Sequence, residues 1–137
     1  MSDHAHPGID DDELLARFAT NTLPAFPHEE HLHVVFVKSA HSSAAETLAF
    51  MRGGIRAMAA ANGKPEAYHD TRTAAWVRII AATRAGFDGT FDEFLAQHPE
   101  LVRRDLLSEY YSDGLLNSDE ARAAFVAPDL RELPATS

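Results

Sequence analysis

Phe26-Pro27-His28-Glu29-Glu30-His31-Leu32-His33 runs directly into Val34-Val35-Phe36-Val37, and the fold class turns on how this stretch is read. Pro27 suits the first turn of a helix, where a backbone N–H has no intrahelical partner to lose. At about 3.6 residues per turn, His28, His31, Leu32, Val35, Ser39 and Ser42 share one stripe, while Val34, Phe36 and Val37 spread around the rest of the circumference. A helix that is apolar nearly all round is a central one. The spacing therefore predicts a buried helix over 27–41 with two histidines on one face at its start.

Working outward, Asp10-Asp11-Asp12-Glu13 places acids where the positive end of a helix dipole favours them. The helix they open carries Leu14, Leu15, Phe18 and Leu23 inward, and Pro24 is expected to end it. Ser43 with Glu46 has the spacing of a capping box and introduces a third helix to about Asn62, with Leu48, Met51, Ile55 and Met58 at core spacing. A fourth helix is expected from Tyr68-His69-Asp70-Thr71 to about Ala85, with His69, Thr73, Trp76, Ile80 and Thr83 inward. Thr90 and Glu93 form a second capping box before Phe91, Phe94 and Leu95. Pro99 is expected to start a helix through Leu101, Leu106 and Leu107 to Tyr110-Tyr111, and Ser118 to cap a last piece over 119–126. No period-2 run of strand length occurs. The expectation is an all-α domain over 10–130: four principal helices in a bundle with additional short C-terminal helices. A flexible leader over 1–9 and a tail over 131–137 flank it.

A chain of 137 residues is long enough to build a core without staples. It contains no cysteine, which removes disulfides, thiolate metal sites and thiol nucleophiles, so any metal must be held by imidazole and oxygen. Lys and Arg total 12 against 21 Asp and Glu, a net charge of −9. A duplex or an anionic membrane would be repelled, so neither nucleic acid nor a membrane is an expected partner. No apolar stretch approaches the ~20 residues of a membrane span, and the first residues carry no signal-peptide pattern. A cytoplasmic protein acting on a small-molecule substrate is the expectation, and a homodimer is compatible with it. With Met1 removed, Ser2-Asp3-His4 would be the kind of terminus that wraps Cu(II) or Ni(II).

Residues three apart on a helix lie about 5–6 Å apart at Cβ, so His28 and His31 can converge on one ion. His69, at the start of the fourth helix, is the natural third ligand if the second and fourth helices are neighbours. Three imidazoles leave positions open for water, oxygen or substrate, and the cofactor expected is one transition metal ion, Fe, Cu or Zn. Glu30 and Asp70 stand beside candidate ligands and are candidates for fixing a histidine tautomer or taking a proton. Tyr68 is a further hydroxyl beside His69, and Tyr110 or Tyr111 can place a phenol over the pocket. His33 falls on the side opposite His31 and is expected at the surface or behind the site. Arg52, Arg56 and Arg72 are read as solvated charges and Trp76 as core. GxGxxG, a phosphate-binding loop, GxSxG and HExxH are absent from the sequence.

The strings Phe26-x-His28-x-Glu30-His31-Leu32, Tyr68-His69-x-Thr71-x-Thr73 and Tyr110-Tyr111-Ser112, with the terminal Ala121-Arg122-x-x-Phe125-Val126-x-Pro128-Asp129, together resemble a group of small bacterial helical proteins. The resemblance spans about 14–130 and implies no activity. In architecture the chain is also reminiscent of DinB-like bundles, which hold a metal with three histidines. Those carry one histidine first and an HxxxH pair later, whereas here the pair comes first and is spaced by three. The function expected is a small metalloenzyme with a mononuclear three-histidine site, an oxygen-dependent oxidoreductase. A metal-dependent hydrolase or lyase, or a metal-binding or metal-sensing module without turnover, are the alternatives.

Overall fold

The computed structural model describes residues 10–23 and 26–135. Among these the chain is all-α, with no strand. The helices are α1 (Asp11–Ala19), α2 (His28–Ser39), α3 (Ala44–Ala61), α4 (Asp70–Arg84), α5 (Phe91–Gln97), α6 (Asp113–Leu116) and α7 (Asp119–Ala123). Three 3-10 turns, Pro65–Ala67, Pro99–Val102 and Leu106–Glu109, join them. The leader with its Ser2-Asp3-His4 terminus, and Pro24, lie outside the described residues.

Local chemistry explains the helix starts. The Asp10 carboxylate accepts from the Glu13 N–H at 2.8 Å, and both expected capping boxes, Ser43 with Glu46 and Thr90 with Glu93, close reciprocally. Pro27 is the N-cap of α2 rather than its first helical residue. Helix α1 stops before Pro24 is reached. The Thr20 hydroxyl bonds back to the Ala16 carbonyl at 2.8 Å, and Asn21 takes φ 57°, a left-handed conformation asparagine tolerates. Leu23 consequently packs on the core from outside the helix.

Helix α2 buries every residue from Leu32 to Val37. It shares the centre with α4, which packs against α2, α3 and α7 and buries residues on all of its faces, including Thr71, Ala74, Ala75, Val77, Ile79 and Ile80. The expected helix from Pro99 to Tyr111 is instead two 3-10 turns interrupted at Arg103 and Asp105. Leu101, Leu106 and Leu107 are buried nonetheless. The C-terminal segment is stitched across α4. The Thr71 hydroxyl donates to the Ala124 carbonyl and accepts from the Val126 N–H, Tyr111 donates to the Val126 carbonyl at 2.7 Å, and the Asp129 carboxylate accepts from both the Ser112 N–H and hydroxyl. Helix α7 ends at Ala123, not Val126. Among the described residues, no helix is long and apolar enough to cross a membrane.

Two adjacent glycines in α3 give a test of the packing. A Cβ on Gly54 would lie 2.2 Å from two ring atoms of Phe18, a side chain with no exposed surface, whereas a Cβ on Gly53 would meet nothing within 4 Å. Gly54→Ala is expected to destabilise the fold by about 1–3 kcal/mol through overpacking. Gly53→Ala is expected to stabilise it by roughly 0.5–1 kcal/mol through backbone entropy. Urea unfolding of the two variants at one pH reads the opposite signs.

Candidate functional site

The histidines at the start of α2 and the start of α4 meet across one cavity. Its volume is about 410 Å³, within the range of roughly 300–1,000 Å³ usual for small-molecule sites. Phe26, Val35, Met51, Ile55, Val77 and Ile80 form apolar walls, with Trp76 beside them. His28, His31, Tyr68, His69, Arg72, Thr73 and Arg104 are the polar groups that line it. Helices α2, α3 and α4 thus each supply a wall, and the segment between the two 3-10 turns after Pro99 contributes Arg104.

The three imidazoles are placed differently. His28 donates from Nε2 to the Leu101 carbonyl at 3.0 Å and sits edge-on to Trp76 with centroids 4.7 Å apart. Its pKa is lowered chiefly by burial, with the positive charge of Arg104 acting in the same direction. His31 packs edge-on to Phe26 at 4.0 Å, and burial, with His28 and Arg104 adding to it, brings its pKa down to about 4. It is therefore a neutral ring at pH 7. His69 is the N-cap of α4: its Nδ1 accepts from the Arg72 N–H at 3.1 Å, and its Nε2 donates to the Leu116 carbonyl at 2.7 Å. Burial lowers its pKa as well. Both of its ring nitrogens are committed to the fold, which pins α4 to the end of α6.

Tyr68 and Asp70 form a wall behind His69. The Tyr68 hydroxyl donates to Asp70 Oδ1 at 2.5 Å, and Arg52 clamps the same carboxylate with two bonds of 2.9 Å. Arg56 lies 3.8 Å from Asp70 and covers the Tyr68 ring at 4.8 Å. Burial acts to raise the Asp70 pKa, but the bonds from Arg52 and Tyr68 outweigh it and hold the carboxyl below its usual range. Burial and the carboxylate raise the Tyr68 pKa. The phenol thus stays protonated, with its proton directed away from the cavity. Arg52, read from the sequence as a solvated charge, is the partner of a buried acid.

Glu30, Tyr110 and Tyr111 are not brought to the cavity. Glu30 is completely buried on another side of α2, with Oε1 3.6 Å from His33 Nδ1. His33, expected at the surface or behind the site, is only 7 % exposed. Its ring stacks on Phe91 at 4.3 Å, and its Nε2 lies 3.5 Å from Asp11 Oδ1. The side of α2 opposite His31 is covered by α1 and α5, so it does not face water. Tyr111 is a core ring tied to the C-terminal segment, and burial pushes its pKa up to about 12. Tyr110 is buried beneath the Arg131 guanidinium. Trp76, read from the sequence as core, borders the cavity, Arg72, read as a solvated charge, lines it, and Arg104 is a lining residue that the sequence reading did not single out. Trp76 lies on the same stripe of α4 as Thr73, a signal that was available, whereas Arg104 follows from no periodicity.

Among the described residues, no group of three or more His, Asp or Glu side chains is arranged to hold a metal ion. The donor chemistry gives the local reason. A third ligand from His69 would require it to release either the helix cap or the Leu116 carbonyl. Comparison with family models, with curated proteins and with solved structures finds no match to this chain.

Proposed function

We propose that the chain is a small-molecule-binding protein whose centre is the cavity between α2, α3 and α4, with His31 as its proton-accepting group. One observation supports this above all: an apolar cavity of ligand size receives two neutral imidazoles from one helix, together with polar groups from three other segments. A buried imidazole that is neutral at pH 7 is a ready acceptor for a ligand hydroxyl or N–H. His28 is oriented by its bond to the Leu101 carbonyl, which in the neutral ring leaves Nδ1 as an acceptor. The Tyr68 hydroxyl keeps its proton in the bond to Asp70, so only its oxygen lone pairs are offered to a ligand.

A second reading keeps the three-histidine metalloenzyme, an oxygen-dependent oxidoreductase or a metal-dependent hydrolase or lyase, or a module that binds or senses a metal. What favours it is that His28, His31 and His69 all line the same cavity. An ion there would supply Lewis-acid or redox chemistry and open coordination positions. It would also need His69 to release either the Arg72 N–H or the Leu116 carbonyl.

One variant separates the two readings. In His69→Asn the side-chain oxygen can cap α4 as the imidazole nitrogen does, but no imidazole remains. The cavity reading expects His69→Asn to keep its ligand-induced NMR shifts at His31 and Trp76 and to keep the cap while losing the bond to the Leu116 carbonyl. His69→Ala should lose about 1 kcal/mol or more with the cap. The metal reading expects untagged wild-type protein to carry a stoichiometric ion and His69→Asn to lose it. Ligand-induced shifts gathering away from the cavity would overturn the first reading, and an absence of stoichiometric metal the second.

A further inference from the structure

We propose that the ligand of this cavity is a small amphipathic anion, an aryl or alkyl carboxylate, with its charge at Arg104 and Arg72 and its apolar body against Trp76. This rests on the cavity reading and adds the chemical class of the ligand.

The charge balance of the lining runs against that of the chain. Asp and Glu outnumber Lys and Arg by 21 to 12 overall, yet among the described residues no acidic residue lines the cavity, while two arginines do. Asp70, behind the wall, is paired with Arg52. Glu29, at the start of α2, is exposed and does not line the space.

Arg104 is available to an incoming charge. Its neighbours absorb the local acids: Arg103 pairs with Asp105 and Glu109, and Arg131 pairs with Glu109. Among the described residues, Arg104 itself has no ion pair. The Arg72 guanidinium bonds the Asn117 side-chain oxygen at 3.1 Å, a neutral acceptor that leaves its charge uncompensated. The field of Arg104 reaches both cavity histidines on α2, opposing their protonation. A carboxylate placed at Arg104 would meet its positive charge and its guanidinium N–H donors. A guanidinium presents a planar fork of donors suited to a carboxylate. An ammonium or a bare metal cation would meet repulsion in the same place. The apolar remainder of the lining selects for a hydrocarbon or aryl body over a small hydrated anion such as phosphate.

Trp76 is the only tryptophan in the chain and borders the cavity, so its fluorescence reports occupancy directly. The full chain is titrated with 3-phenylpropanoate, 4-phenylbutanoate and octanoate, each beside its primary amide and the corresponding amine. The carboxylates should bind about tenfold or more tightly than the amides, with the amines weakest and the carboxylate advantage shrinking as salt is raised. Arg104→Gln should reduce the carboxylate advantage severalfold, and Arg104→Gln combined with Arg72→Gln should bring each carboxylate to the level of its amide and leave the amide unchanged. Amides binding as tightly as carboxylates, or a carboxylate advantage undiminished in Arg104→Gln or surviving in the doubly substituted chain, would overturn the anion inference while leaving the cavity reading in place. Titrations in which no acid, amide or amine changes the Trp76 signal would overturn both.

Discussion

Replacing His31 with glutamine is expected to remove roughly 3 kcal/mol of acid-induced destabilisation while changing stability at pH 8 by about 1 kcal/mol or less. In the folded chain His31 is brought from 6.5 down to about 4, by burial first and then by His28 and Arg104. In the unfolded chain it titrates at its ordinary value. A histidine with a depressed folded pKa binds its proton preferentially in the unfolded state. Its contribution is therefore whole above pH 6.5, falls as the pH drops through the window from 6.5 to about 4, and is fully lost below that. His28 and His69 are lowered as well and add to the loss with the same sign. Wild-type stability should fall steeply from pH 6.5 to 4, and the His31→Gln profile should be visibly flatter there. Urea unfolding at pH 8, 6, 5 and 4.5 measures both profiles. Superimposable slopes would mean that His31 is not held neutral by the fold. A ligand that accepts a hydrogen bond from protonated His31 would raise the ring's folded pKa, so a bound carboxylate should raise the lower edge of this window and reduce the loss.

How much of this was legible in the sequence depends on what kind of signal each residue carries. The central helices were readable because period and punctuation agree. Ser43 with Glu46 and Thr90 with Glu93 mark starts chemically, and the apolar run Val34-Val35-Phe36-Val37 leaves no face for water. The same run misled the reading of His33. A helical wheel shows which residues oppose His31, but only tertiary structure shows that α1 and Phe91 cover that side. The segment from Pro99 to Tyr111 spaces its leucines as a helix would, yet backbone breaks around Arg103 to Asp105 convert it to 3-10 turns without moving the leucines from the core. Arg104 lies in that break and lines the cavity, so no helical period marked it in the sequence. His69 shows the opposite case. Its arrival at the cavity of His28 and His31 followed from sequence, but its role as a cap did not, because Asp70 beside it is the more usual residue for that position.

Arg52→Met should cost about 2–3 kcal/mol and loosen the wall on which Tyr68 stands. Removing one partner of a buried ion pair is expensive because it leaves the other charge unsolvated, typically by 3–5 kcal/mol when both are fully buried. Here the Asp70 side chain is 4 % exposed and that of Arg52 34 %, so the acid bears most of the cost and the total is reduced. Arg56, at 3.8 Å and 57 % exposed, compensates only in part. Arg52→Lys keeps a charge but loses the paired bonds to Oδ1 and Oδ2, so its loss should be smaller than that of Arg52→Met. The pH dependence separates this pair from the histidines. The Asp70 pKa is depressed in the folded chain, because the bonds from Arg52 and Tyr68 outweigh burial. Its stabilisation is thus present above the ordinary value of 3.8 and is lost as the pH falls through the lower folded value. Wild-type protein should lose stability in two acid windows, the upper from the histidines and the lower from Asp70. Arg52→Met should flatten only the lower one and His31→Gln only the upper. With Arg52 gone, the Tyr68 hydroxyl faces a carboxylate less firmly fixed, so NMR signals of the Tyr68 ring should broaden or shift while those of Tyr111 stay in place. Tyr111 is anchored independently by its bond to the Val126 carbonyl. A variant that kept wild-type stability and an unchanged Tyr68 signal would show that the Arg52–Asp70 pair does not hold this wall.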